Sequence, residues 1–223
     1  MNIFLSLGHS ILKNGSITSA DGVINEYLYN KELIAYVRDY LVGAGHKVTL
    51  CMCPEKQFTS SKEERTYKIP MENSGNYDLA VELHLNAFNG NAKGCEVYYY
   101  SDGYGKTCAG RVEAKLATAF ISRGIKQRKD LYFLNSTNAP AILIESFFCD
   151  NAEDCERGKD KKKIAKLIAE GIHGGAIAEA PVSNTSGTLY RVQVGAYSVK
   201  ANAEAMLKKL KEAGFEGFIA SSK

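Results

Sequence analysis

The stretch DLAVELHLNA, Asp78–Ala87, decides how the chain folds. Leu79, Val81, Leu83 and Leu85 alternate with Ala80, Glu82, His84 and Asn86. A β-strand gathers the first set on one face and the second on the other. Read alone, His84 is a core histidine satisfied by its neighbours. Two more apolar runs also end on ionisable groups: Ile3–Leu7 meets Gly8-His9, and Ala141–Ile144 meets Glu145.

Outward from that strand, helical and extended patterns alternate. Asn14–Gly22 is a loop rich in Gly, Ser, Thr and Asp. From Ile24 to Val42 the apolar residues recur at helical spacing, and Gly43 and Gly45 supply a stop. Glu26 falls in the first turn of that helix, with Asn30 one turn later on the same face. By itself a first-turn Glu is a partner for the helix dipole. His46–Cys51 reads as a strand with His46 at the surface. Glu55–Asn76 is polar, with a capped helix signalled at Ser60–Glu64. Cys95–Tyr100 is a strand, Gly105–Arg123 a helix, Leu131–Leu134 and Ala141–Ile144 short strands, and Lys159–Ile177 a helix.

Residues 181–187, PVSNTSG, have linker composition. The expected organisation is a domain over 1–180, a linker over 181–188 and a small βαβ segment over 189–223. In that segment Leu189–Gly195 and Phe215–Ala220 read as strands around an Ala201–Ala213 helix.

Composition narrows the class. Apolar residues at 45% and charged residues at 24% are those of a soluble globular protein. The net charge of +3 is too mild to argue for nucleic acid but suits a polyanionic surface such as a bacterial wall. The six cysteines form no CxxC pair and read as free thiols. No apolar run of ~18 residues occurs, so no membrane span is expected. MNIFLSLGHS lacks a basic n-region and its apolar run is too short for a secretory signal, which points to synthesis in the cytoplasm without a signal peptide.

Strands alternating with helices imply an α/β fold: a mostly parallel, twisted sheet flanked by helices. Such sheets bind ligands beyond the carboxyl ends of their strands. His9, His84 and Glu145 fall there, and Glu26 opens the helix after the first strand. Two histidines and a carboxylate suit Zn²⁺ and leave its fourth position to water, while another carboxylate can move protons. Spacing leaves open which Glu binds and which shuttles, with Glu82 and Glu96 as competitors.

Gly8-His9, Glu26 with Asn30, Leu83-His84-Leu85-Asn86-Ala87, and Pro140–Glu145 followed by Phe147 and Asn151 together resemble the zinc-dependent N-acetylmuramoyl-L-alanine amidases of the type-3 family. The resemblance runs through nearly all of residues 1–178. It implies that His9, Glu26 and His84 hold zinc at the carboxyl ends of the strands and that Glu145 is catalytic. Asn86 would support the metal site or contact substrate. The implied reaction cleaves the amide between the lactyl group of N-acetylmuramic acid and the L-alanine of peptidoglycan, as an endolysin or an autolysin does, so the resemblance implies a protein made in the bacterial cytoplasm that acts on the cell wall after release. Glu82 stands where the family commonly has Ser, and Ser146-Phe147-Phe148 follows Glu145 where the family usually has a small residue and Gly before Phe.

Tyr190–Tyr197, Asn202-Ala203, Leu207–Leu210 and Gly214-Phe215 resemble the first half of a SPOR domain, a peptidoglycan-binding module. Half a module leaves a helix face and a sheet edge uncovered, so either the natural chain continues past Lys223 or two halves pair by self-association. The competing readings are a zinc peptidase or deacetylase using the same ligands on another amide, and a wall-binding protein with an inactive site.

Overall fold

The computed structural model describes residues 1–178, 194–212 and 219, and the chain divides into two units, Met1–Val182 and Ser183–Lys223. The larger unit is built on strands β1 (Asn2–Leu7), β2 (Lys47–Cys51), β3 (Leu79–Asn86), β4 (Cys95–Tyr99), β5 (Ser122–Gln127) and β6 (Ala141–Phe148). They form one sheet in the order β2-β1-β3-β6-β4-β5. β2, β1, β3 and β6 run parallel, while β4 meets β6 antiparallel and carries β5 parallel to itself. The sheet is thus mostly parallel, as the alternation of elements implies.

Helices α1 (Glu26–Gly43), α2 (Ser61–Asn73), α3 (Tyr104–Leu116), α4 (Tyr132–Ser136), α5 (Ala152–Arg157) and α6 (Lys161–His173) complete this unit. Four of them start at a short polar side chain that caps the first turn. Asn25 accepts from Leu28 N, Ser60 from Glu63 N, Asn151 from Glu153 N and Asp160 from Lys163 N. α6 stops at Gly174, whose left-handed φ of 86° favours a residue without Cβ.

β3 separates the two cores. Leu79, Val81, Leu83 and Leu85 pack with Leu33 and Val37 of α1, Val112 of α3 and Ile168 of α6. Each such fully buried aliphatic side chain contributes about 1.5–3 kcal/mol of burial. On the other face Ala80 joins Phe4, Tyr98 and Leu143 under Ile69 of α2 and Phe133 and Leu134 of α4. Glu82, His84 and Asn86 continue along that second face toward the carboxyl end.

Several boundaries differ from those expected. The Gly105–Arg123 helix ends at Leu116, and Ser122–Gln127 is the edge strand β5, whose SRGIKQ lacks an apolar alternation because most of it faces solvent. Leu131–Leu134 is not a strand: Asn135 N donates to Leu131 O at 3.1 Å, and Tyr132–Ser136 forms the short helix α4. Four apolar residues suit either state, and the small second core selects the helical one. α5 was not foreseen. β6 continues past Glu145 to Phe148, with a bulge that pairs His84 with Glu145 but Asn86 with Phe148.

In the smaller unit α7 (Lys200–Glu212) matches the expected amphipathic helix. The two strands expected around it lie largely outside the described residues.

Candidate metal centre and active site

β1 ends at Leu7, and the chain turns through Gly8 to His9, whose φ of 66° lies in the left-handed region that non-glycine residues seldom adopt. Such backbone costs on the order of 1–3 kcal/mol and survives where the surroundings hold it. Here Thr18 does so. Its Oγ1 accepts from Ser10 N at 3.2 Å and lies 3.5 Å from His9 Nδ1.

Glu26, the first residue of α1, is buried and turned under the sheet edge. Its Oε1 accepts from Leu85 N at 3.1 Å and its Oε2 from Ala20 N at 3.1 Å. The same Oε1 lies 3.0 Å from His84 Nδ1 and 3.4 Å from His9 Nε2. His9 and His84 meet edge to face, with ring centroids 5.0 Å apart. His9, Glu26 and His84 thus form the group of three residues whose ligand atoms lie within 4.8 Å of one another among the described residues.

These spacings fit a metal. Ligand atoms about 2.0–2.2 Å from zinc in a tetrahedron stand about 3.3–3.6 Å apart. The 3.0 and 3.4 Å contacts approach that edge, and the donor set is the nitrogen and oxygen mixture that zinc accepts. Electrostatics agree. Burial pushes the Glu26 carboxyl up, but His84 and His9 outweigh it and hold it well below the usual carboxylate range. Burial pushes the His84 imidazole down, yet Glu26 and Glu82 prevail and raise it well above an ordinary histidine. A site that stabilises positive charge on His84 also attracts a cation.

Three more carboxylates line the same face, and their partners distinguish them. Glu82 is ion-paired to Lys68 of α2 through Oε1, and its Oε2 lies 3.3 Å from His84 Nε2 without hydrogen-bond alignment. Glu96 of β4 accepts from Asn86 Nδ2 at 2.6 Å and Arg123 Nε at 3.1 Å, and also from Tyr98 and Lys126. Glu145 stands between His84 on β3 and Glu96 on β4 in the strand register. Its Oε2 is buried with no hydrogen-bond partner. Burial pushes this carboxyl up to about 8; His84 opposes the shift, and Glu26, Glu96 and Glu82 add to it.

The structure therefore brings His9, Glu26, His84 and Glu145 together at one sheet edge. It places Asn86 beside Glu96, with its amide spent on Glu96 Oε1 and on Ala87 N, which donates to Asn86 Oδ1 at 3.0 Å. Sequence reading missed the support from α2. Glu64, Lys68 and Glu72 are all buried, although their spacing is that of a solvated helix face.

A family model described as N-acetylmuramoyl-L-alanine amidase matches residues 3–174. A SPOR domain model matches residues 161–221, sharing with the first the helix α6, whose Ile164, Ile168 and Ile172 lie in the core of the larger unit. The N-acetylmuramoyl-L-alanine amidase CwlM of Bacillus licheniformis is 29% identical over 98% of this chain and 84% of its own length. The endolysin of Bacillus phage SPP1 is 36% identical over 48% of this chain and 41% of its own. Among solved structures, the catalytic domain of the CD27L endolysin, titled as targeting Clostridia Difficile, aligns with a TM-score of 0.78 at 54% identity, over 80% of this chain and 99% of that one.

Proposed function

The chain belongs to the N-acetylmuramoyl-L-alanine amidase family, and from that premise we propose that it works through a zinc ion held by His9, Glu26 and His84, with Glu145 as the proton carrier. The activity is hydrolysis of the amide joining N-acetylmuramic acid to the L-alanine of peptidoglycan, and its outcome is lysis of the cell wall. Bound zinc supplies Lewis acidity, polarising the amide carbonyl and lowering the pKa of water to about 7.

The protein's own groups do the remainder. Glu26 is fixed by the Leu85 and Ala20 amides, so it offers its oxygen without reorganising. Glu145 takes the proton of the attacking water and returns it to the L-alanine nitrogen as the C–N bond breaks. Its carboxyl suits both directions because burial raises its proton affinity toward neutrality. Asn86 holds Glu96 in place beside it. Residues 1–180 serve as the catalytic domain in this reading, 181–188 as a linker and 189–223 as a SPOR-like segment that holds the enzyme on peptidoglycan.

The observation that carries the proposal is the division of partners. Of Glu26, Glu82, Glu96 and Glu145, the last alone keeps a buried oxygen with no hydrogen-bond partner. The test is Glu145→Gln, which preserves shape and removes the proton carrier. Zinc should bind at one equivalent while release of new L-alanine amines from purified walls falls about 10²–10⁴-fold. Full activity in that variant would overturn the role of Glu145, and a wild-type protein binding no zinc would overturn the metal.

A further inference from the structure

Helix α2 carries no group of the reaction, yet three of its charged residues are at most 3% exposed: Glu64, Lys68 and Glu72. They are spaced four apart and so form one stripe along the helix. Buried charges persist where partners satisfy them, and here each partner leads to the site. Lys68 Nζ donates to Leu7 O at 2.8 Å, at the end of the strand that delivers His9. The same ammonium pairs with Glu82, whose other oxygen is 3.3 Å from His84 Nε2. Glu64 Oε1 accepts from Thr18 Oγ1 at 2.7 Å, and that oxygen is 3.5 Å from His9 Nδ1. Glu72 accepts from Asn138 N at 3.0 Å and Ala139 N at 3.1 Å, just ahead of the strand that bears Glu145.

We propose that α2 is a positioning brace for the metal ligands: Lys68 through Glu82 orients His84, and Glu64 through Thr18 orients His9. A hydroxyl that donates to Glu64 can only accept from His9, so the His9 proton sits on Nδ1 and its Nε2 lone pair turns to Glu26. Glu82 places its charge 3.3 Å from His84 Nε2, on the side of the ring opposite the Nδ1 that faces Glu26. One helix thereby fixes the ring orientation of both histidines from behind. The inference rests on His9, Glu26 and His84 being the ligand set.

The test measures zinc affinity by competition with a chromogenic chelator, beside thermal unfolding of the metal-free protein. Replacing the buried pair by apolar side chains, Lys68→Met with Glu82→Met, removes charge and partner together and is compatible with a normal fold. Zinc affinity should then fall about 10–100-fold with the thermal midpoint nearly unchanged. Should that double variant not fold, Thr18→Val and Thr18→Ser decide. The valine should weaken zinc binding about tenfold, and the serine, which keeps the hydroxyl, should restore it. Wild-type affinity in the folded double variant, or in Thr18→Val, overturns the brace. His84→Ala separates the two levels: if it retained wild-type zinc affinity the ligand set itself would fall, whereas its loss of zinc beside an unaffected double variant sinks the brace alone.

Discussion

Gly8→Ala tests the geometry of the centre without touching any of its polar groups. A Cβ at residue 8 would stand 2.0 Å from His84 Cε1, 2.3 Å from Nε2 and 2.7 Å from Nδ1. Ordinary contact between such atoms is about 3.5 Å, so the ring must retreat about 1.5 Å. Metal ligation tolerates errors of only about 0.2 Å. The ring has little room to compensate, with Glu26 3.0 Å from Nδ1, Glu82 3.3 Å from Nε2 and the His9 ring edge to face against it. His84 is therefore lost as a ligand. The expected fall in zinc affinity is at least about 100-fold, or about 2.8 kcal/mol, and lysis should fall with it. The backbone of Gly8 lies outside the left-handed region, so alanine brings no strain of its own there. Chelator competition reads the affinity, turbidity of a wall suspension reads lysis, and circular dichroism checks the fold. A folded Gly8→Ala protein with wild-type affinity and wild-type lysis would refute the placement of His84 against Gly8.

Removal of zinc with a chelator should abolish lysis and lower the thermal midpoint, and added zinc should restore both where magnesium, which prefers six oxygen ligands, does not; recovery with magnesium counts against the nitrogen-rich site. Gly171→Ala should destabilise the protein by about 1–3 kcal/mol, because its Cβ would lie 2.4 Å from Val112 Cα, backbone that cannot swing aside. Calorimetry should show that loss with zinc affinity unchanged, and a neutral midpoint would contradict the close contact of α3 with α6. All six cysteines are buried and free, and burial pushes the Cys95 and Cys149 thiols up to about 12. A thiol reagent should therefore react slowly with the native protein and titrate six groups on unfolding without reductant; a smaller number would reveal a bridge.

What the sequence displays of this fold depends on whether an element buries a pattern. β3 was legible because Leu79, Val81, Leu83 and Leu85 meet one core while its other face starts at Ala80 in a second. Glu26 was legible as a first-turn residue, and its convergence with His9 and His84 follows from where parallel strands end. β5 was not, since an edge strand leaves SRGIKQ mostly in solvent and needs no alternation. The stripe on α2 was hidden for another reason. Glu64 and Lys68, four residues apart, are the pattern of an exposed helical ion pair, and no local signal says that both are buried. Only the polar partners on distant segments, Thr18 and Glu82, reveal it.

The sequence also left four glutamates competing for two roles, and the proposed assignment rests on what each already holds. Glu26 faces both imidazoles at once, which is the situation of a ligand. Glu82 is neutralised by Lys68 and cannot take a proton without leaving that ammonium buried and unpaired, a cost of several kcal/mol. Glu96 accepts from Asn86, Tyr98, Arg123 and Lys126, so its charge is held and its lone pairs are engaged. Its pKa is lowered because those donors, led by Lys126, outweigh burial. Glu145, cross-strand from Glu96, sits among like charges with one oxygen unpartnered. Identical side chains on one sheet face are thus set to opposite ends of the carboxylate range, and the group with the raised proton affinity is the one proposed to carry the proton.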